Sequence, residues 1–132
     1  MKGVNILRVA LKTNGFFSLF SALLAILLST KVNAVNEMTN GQPVNFAIQM
    51  VVFGAIVLFA GYSKKVFKVL VWVIIGMDIL YVMLTSFNLA VAENLSPSGF
   101  ALILFTTFLV LIFAVFQMVG IIKHSKSFQT NP

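Results

Sequence analysis

The sequence predicts an all-α membrane protein: an antiparallel bundle of four spanning helices, in a single domain over 1–132, with both chain ends in the cytoplasm. Three observations predict it. Hydrophobic residues make up 60% and charged residues 9% of the 132, against roughly 45–50% and 25% in a soluble domain. A soluble body this small leaves too much of its surface in water to hide that many apolar side chains. The apolar residues also run continuously, where barrel strands would alternate. Finally, eight of the nine Lys and Arg residues fall on one side of those runs, which is the bias that orients membrane helices.

The spans are expected at about 14–30, 46–62, 69–92 and 100–122. Each is near the 17–25 apolar residues that a ~30 Å hydrocarbon core requires. Lys2, Arg8 and Lys12 precede the first span, Lys64, Lys65 and Lys68 join the second to the third, and Lys123 and Lys126 follow the fourth. Lys31 stands alone on the opposite side. Ser63-Lys64-Lys65 makes a tight joint, so the second and third helices are expected to be antiparallel neighbours. Asn94-Leu95-Ser96-Pro97-Ser98-Gly99 forms the second outer turn. The first outer loop, 31–45, is longer, and Asn40-Gly41 marks a turn within it.

The N-terminal region admits other readings. Asn5, Arg8 and Lys12 share one helical face and Val4, Leu7 and Leu11 another, as in a helix lying at the headgroups. The simpler reading, adopted here, is the basic end of the first span. An apolar stretch at 16–28 followed by Val32-Asn33-Ala34 also has the form of a cleavable leader. Lys31, just before that cut, and the long basic region weigh against cleavage.

Helices in lipid pack through small residues and hydrogen bonds. Asn14, Ser18, Ser21, Ala25 and Ser29 form one stripe on the first span. Ala47, Gly54 and Gly61 recur every seven residues on the second. On the fourth, Thr106 and Gln117 share a face flanked by Ala114 and Gly120. These stripes are expected to point inward, leaving Phe105, Phe108, Phe116 and their like for lipid or for assembly.

Asp78 is the costly residue. It lies ten residues beyond Lys68, hence ~15 Å along the axis and near the bilayer midplane, where insertion costs about 2.5–3.5 kcal/mol. Tyr81, Thr85 and Asn88 continue its arc. No basic residue lies inside a span to pair with it. The expected arrangement is a buried polar network of Asp78, Tyr81, Thr85 and Asn88 with Asn14, Ser18, Ser21 and Gln117, in which a neutral Asp78 carboxyl meets the Ser18–Ser21 stripe and acts as interhelical glue, worth ~0.6–2 kcal/mol per contact. The competing reading is a proton-carrying or substrate-binding acid.

Much chemistry is excluded. With no Cys there is no disulfide, thiolate metal site or Cys nucleophile. Glu37, Asp78 and Glu93 give no metal-ligand spacing and no acid–base pair. His124, in the basic tail, is too far from Asp78 for a Ser-His-Asp arrangement. No phosphate loop or dinucleotide fingerprint is present. No catalytic residue, metal or cofactor is therefore expected, and the positive charge reports membrane orientation rather than nucleic acid.

Three clusters carry a resemblance. Arg8-Val9-Ala10-Leu11 with Asn14-Gly15-Phe16-Phe17-Ser18-Leu19, Asp78-Ile79-Leu80-Tyr81-Val82 with Ser86, and Phe113-Ala114-Val115-Phe116-Gln117 with Gly120 resemble the first, third and fourth spans of small bacterial four-helix inner-membrane proteins that have no assigned activity. The resemblance covers nearly the whole chain. It implies a bacterial inner-membrane location, and little else. The expected function is a non-enzymatic accessory, assembly or regulatory component acting through helix contacts with a membrane partner or a second copy. An oligomeric transporter or channel subunit using Asp78 is the alternative, and a lipid or quinone enzyme a more distant one.

Overall fold

The computed structural model describes residues 3–130, with side-chain surroundings to Lys126. Lys2 lies outside the described residues. The chain forms α1 (Gly3–Leu28), a short α2 (Asn33–Met38), α3 (Pro43–Tyr62), α4 (Lys68–Val91) and α5 (Pro97–Thr130). All but α2 are long and apolar enough to cross a membrane. An all-α four-helix bundle is thus what the sequence folds into. The end carrying the 63–67 loop, the start of α1 and the last turns of α5 is the terminal end, and the end carrying α2 is the loop end.

Helix limits differ from expectation at two places. α1 begins at Gly3 rather than near residue 14, so the basic N-terminal segment is one continuous helix with the span. This agrees with the simpler of the N-terminal readings. α5 runs on to Thr130, well past residue 122. The 31–45 loop contains α2 and then turns at Asn40 and Gly41, both with positive φ (55° and 71°), which Asn and Gly tolerate best.

α1 is the hub. It packs along α3 on one side and α5 on the other, α4 packs on α5, and α2 crosses the loop end onto α5. The expected pairing of the second and third spans, which are α3 and α4, holds closely only near their connecting loop. Beyond it the two helices touch sparsely. The reason lies in the residues. The Ala47, Gly54 and Gly61 ridge of α3 is buried against α1, and a Cβ on Gly54 would lie 3.0 Å from the Gly15 carbonyl oxygen. α4 has no comparable ridge, and its buried residues, Val71, Ile74, Ile75 and Asp78, stop at mid-helix.

The apolar core consequently sits in the terminal half, where Leu7, Leu11, Val57, Ala60, Val71, Ile74, Ile75 and Ile121 cluster. Outside it, Phe105, Phe108 and Phe116 are exposed, as expected of lipid-facing positions. Small residues bring the backbones together: a Cβ on Gly120 would meet the Leu7 nitrogen and Cα at 2.7 Å. Those are backbone atoms and have nowhere to move.

At the loop end, Glu37 joins two loops. Its carboxylate accepts from the Ser96 backbone N–H at 3.2 and 3.3 Å, from Ser96 Oγ at 3.0 Å and from Asn33 Nδ2 at 2.8 Å. Ser96 in turn caps α5, its Oγ accepting from the Gly99 N–H at 3.1 Å, with Pro97 at the first helical position.

Gly120→Ala is expected to lower stability by about 1–3 kcal/mol, the usual cost of overpacking. Gly76→Ala, where an added Cβ meets nothing within 4 Å, should be neutral or mildly stabilising. Thermal unfolding in detergent, followed by circular dichroism, reads both.

Candidate functional site

Three helices each send one polar side chain to a single point. Asn14 of α1, Asp78 of α4 and Gln117 of α5 are all but fully buried, at 1%, 2% and 0% exposure. Asn14 Nδ2 donates to Asp78 Oδ2 at 2.9 Å and to Gln117 Oε1 at 3.0 Å, and Gln117 Nε2 donates to Asp78 Oδ2 at 2.8 Å. The result is a closed triangle in which each side is a hydrogen bond. α3 contributes nothing to it.

Asp78 therefore meets the head of the α1 stripe and not its serines. Ser18 is buried but turns back on its own helix, its Oγ donating to the Asn14 carbonyl at 3.0 Å. The cause is depth. With α1 starting at Gly3, Asn14 lies eleven residues in, about 16 Å, against about 15 Å for Asp78 from the start of α4. A first span beginning at residue 14 had put the serines at that level instead. An amide also offers two donors where a hydroxyl offers one, so it can bond to the carboxylate and to Gln117 together.

The remaining arc of α4 divides. Tyr81 is half-buried and lies against Thr106 of α5. Thr85 is held one turn further on, accepting from Thr107 Oγ1 at 2.8 Å and donating to the Tyr81 carbonyl at 2.8 Å. Asn88 is exposed and lies outside the buried network to which the sequence reading assigned it. The packing positions Ala25, Ala47, Gly54, Gly61, Ala114 and Gly120 are all buried, as expected.

Both donors to Asp78 reach the same oxygen. Among the described residues no sealed side-chain polar atom lacks a partner, yet no hydrogen bond reaches Oδ1. That oxygen is accordingly open, and Asp78 lines a cavity of about 470 Å³. The cavity occupies the gap between α3 and α4 in the loop half of the bundle. Asn14, Ser18, Ser21, Asp78, Tyr81 and Thr106 form its polar wall, while Phe17, Phe46, Phe53, Ile56, Met77 and Val110 line it with apolar groups and Gln49 of α3 adds one amide. Met38 of α2 closes the loop end. Met77 and Val52, also in the lining, are exposed on the outer surface, so the mouth faces sideways. When the carboxyl carries a proton, Oδ1 is the oxygen left to hold it, since Oδ2 already accepts twice. The site thus offers an incoming group either an O–H donor or an anionic acceptor.

Arg8 has a role that charge counting missed. Its Nη1 donates to the Gly61 carbonyl at 3.1 Å and to the Ser63 carbonyl, and its Nη2 to the Lys64 carbonyl at 3.0 Å. One planar guanidinium thereby satisfies carbonyls left over where α3 ends. The sequence signal was present, an Arg on the terminal half of α1, but it does not name its acceptors. Lys12 lies over the Tyr62 ring at 4.4 Å. No metal-competent cluster of His, Asp and Glu occurs among the described residues.

No known protein family, curated protein or solved structure matches the chain.

Asp78→Asn keeps an oxygen that accepts both amides and is expected to retain nearly wild-type stability. Asp78→Leu leaves the Asn14 and Gln117 donors buried without that acceptor and is expected to cost about 1–3 kcal/mol. Denaturant titration in mixed micelles, or membrane abundance after expression, separates the two. Equal tolerance would remove the triangle as a stabilising element.

Proposed function

We propose that this chain is a non-enzymatic accessory protein of a bacterial inner membrane, with both termini in the cytoplasm, that holds a lipophilic molecule between α3 and α4. The single observation that carries this reading is the open Asp78 oxygen at the polar wall of a sideways-facing cavity. Ligand pockets commonly measure about 300–1,000 Å³, mostly apolar with a few placed polar groups, and 470 Å³ lies in that range. The ligand has an apolar body and one head that exchanges a hydrogen bond with Oδ1.

An oligomeric transporter or channel subunit is the competing reading, and it draws on the same acid. Against it, Leu7, Leu11, Val71, Ile74 and Ile121 fill the terminal half, so one copy offers no water path below Asp78. Catalysis is disfavoured because, among the described residues, no second titratable group borders the cavity apart from the Tyr81 phenol. The cytoplasmic placement of the termini rests on the basic residues alone.

Native mass spectrometry of protein released from its own membranes in mild detergent is expected to show a bound lipophile. Met77→Trp and Val52→Trp, which narrow the mouth, should remove it without lowering the unfolding temperature. Absence of any adduct, or an adduct indifferent to both changes, would defeat the proposal. Proton flux into liposomes abolished by Asp78→Asn would favour the transporter.

Because the chain has no Cys, single-Cys variants label without background. Asn36→Cys should react with an impermeant maleimide on intact cells. Lys64→Cys should react only after the membrane is opened, and the reverse pattern would invert the topology.

A further inference from the structure

The cavity between α3 and α4 has a polar wall that accepts hydrogen bonds more readily than it gives them. Asn14 Nδ2 spends one proton on Asp78 Oδ2 and the other on Gln117 Oε1. Ser18 donates its hydroxyl proton to the Asn14 carbonyl and Thr106 to the Ile103 carbonyl, both at 3.0 Å. Each of those hydroxyls then offers the cavity only lone pairs. Ser21, Gln49 and Tyr81, also in the lining, can turn either way. Among them stands the open Oδ1 of Asp78. We propose that the head of the bound lipophile is a protonated amine that pairs with Asp78 at Oδ1. This rests on the reading of the cavity as a lipophile site and adds the chemistry of the head.

Charge is the first reason. A carboxylate within a membrane requires a counter-charge, and here the ligand is the source of it. Among the described residues no Lys, Arg or His of α1, α3, α4 or α5 lines the cavity, and Tyr81 is the other titratable group there. Lys12, two residues before Asn14, lies over the Tyr62 ring instead. Asn14 and Gln117 both donate to Oδ2, which favours the anionic form without cancelling its charge.

Aromatic rings are the second reason. Phe17 of α1, Phe46 and Phe53 of α3 and Tyr81 of α4 all belong to the lining. Ring faces attract a cation through their quadrupole, whereas a carbonyl or hydroxyl head gains no such term.

Depth decides which amine. Asp78 lies about 15 Å along α4 from its start, far below the level at which a phospholipid keeps its ammonium group. The occupant is therefore a free lipophilic amine. Uncharged, it dissolves in hydrocarbon and enters by the sideways mouth. Its nitrogen lone pair then takes the Asp78 proton: the Oδ1–H bond breaks, an N–H bond forms, and the resulting ion pair is neutral as a whole.

Phenylbutylamine, phenylbutanol and phenylbutanoate share one apolar body and differ in the head. Each is titrated calorimetrically at neutral pH into the full-length protein in phosphatidylcholine nanodiscs, with empty discs as reference. The amine is expected to bind about tenfold or more tightly than the alcohol, the lower end of what a close charge pair contributes, and the carboxylate to show no saturable binding. Asp78→Asn should bring the amine to the level of the alcohol with the unfolding temperature kept, and Met77→Trp should weaken both. Equal affinity for amine and alcohol in the wild type, both weakened by Met77→Trp, would overturn the amine head and leave the cavity reading standing; this comparison requires no change at Asp78. An amine preference that survives Asp78→Asn would overturn the pairing with that carboxyl. Saturable binding by none of the three, or binding indifferent to Met77→Trp, would overturn the cavity reading and this inference together.

Discussion

Hydrocarbon cannot hydrogen-bond, so polar groups placed within it must satisfy one another. In this protein three helices meet that constraint together where Asn14, Asp78 and Gln117 join α1, α4 and α5. The three bonds fix the relative depth of three helices, because sliding any one by a single turn of about 5.4 Å breaks two of them. Small residues then let α1 approach α5 and α3 closely, and the apolar core fills the terminal half. The long helix left out of the triangle is α3, which among the described residues packs closely on α1.

That omission creates the cavity. α3 is held by its Gly-rich ridge to α1, and α4 is held by Asp78 to α1 and α5. Beyond the 63–67 loop the two share only the apolar core of the terminal half among the described residues. Between them remains a space whose one polar wall is the face of the triangle that the amides do not use. Structure and opportunity for binding thus have the same origin: a carboxyl satisfied on one oxygen for stability and left open on the other.

Much of this was legible in the sequence. Fold class, helix number and the inward stripes followed from composition, continuous apolar runs and small-residue spacing, since those reflect the solvent in which each helix sits. Asp78 was readable because a charge among apolar residues is conspicuous at any register. Asn14 and Gln117 were legible as members of its network, but the serines were expected as its direct contacts because hydropathy marks where lipid contact begins, not where the helix begins, and α1 starts a full eleven residues before the expected span. The splay of α3 from α4 was hidden for a different reason. A short loop enforces proximity at one end of a helix pair and says nothing about the other. Asn88 illustrates the limit of arc arguments, since it shares Asp78's face by angle but lies beyond the depth at which α4 is packed.

The clasp of Glu37 on Ser96 bears on how anything reaches the buried acid. Lifting α2 off the bundle would strip the carboxylate from the very residue that starts α5, so the watery route is latched by a helix terminus. For the lipophile proposed above, that leaves the lateral route through the fatty-acid layer. A compound's occupancy would then track its solubility in that layer, and the same aqueous dose would saturate the site in one membrane and leave it vacant in another.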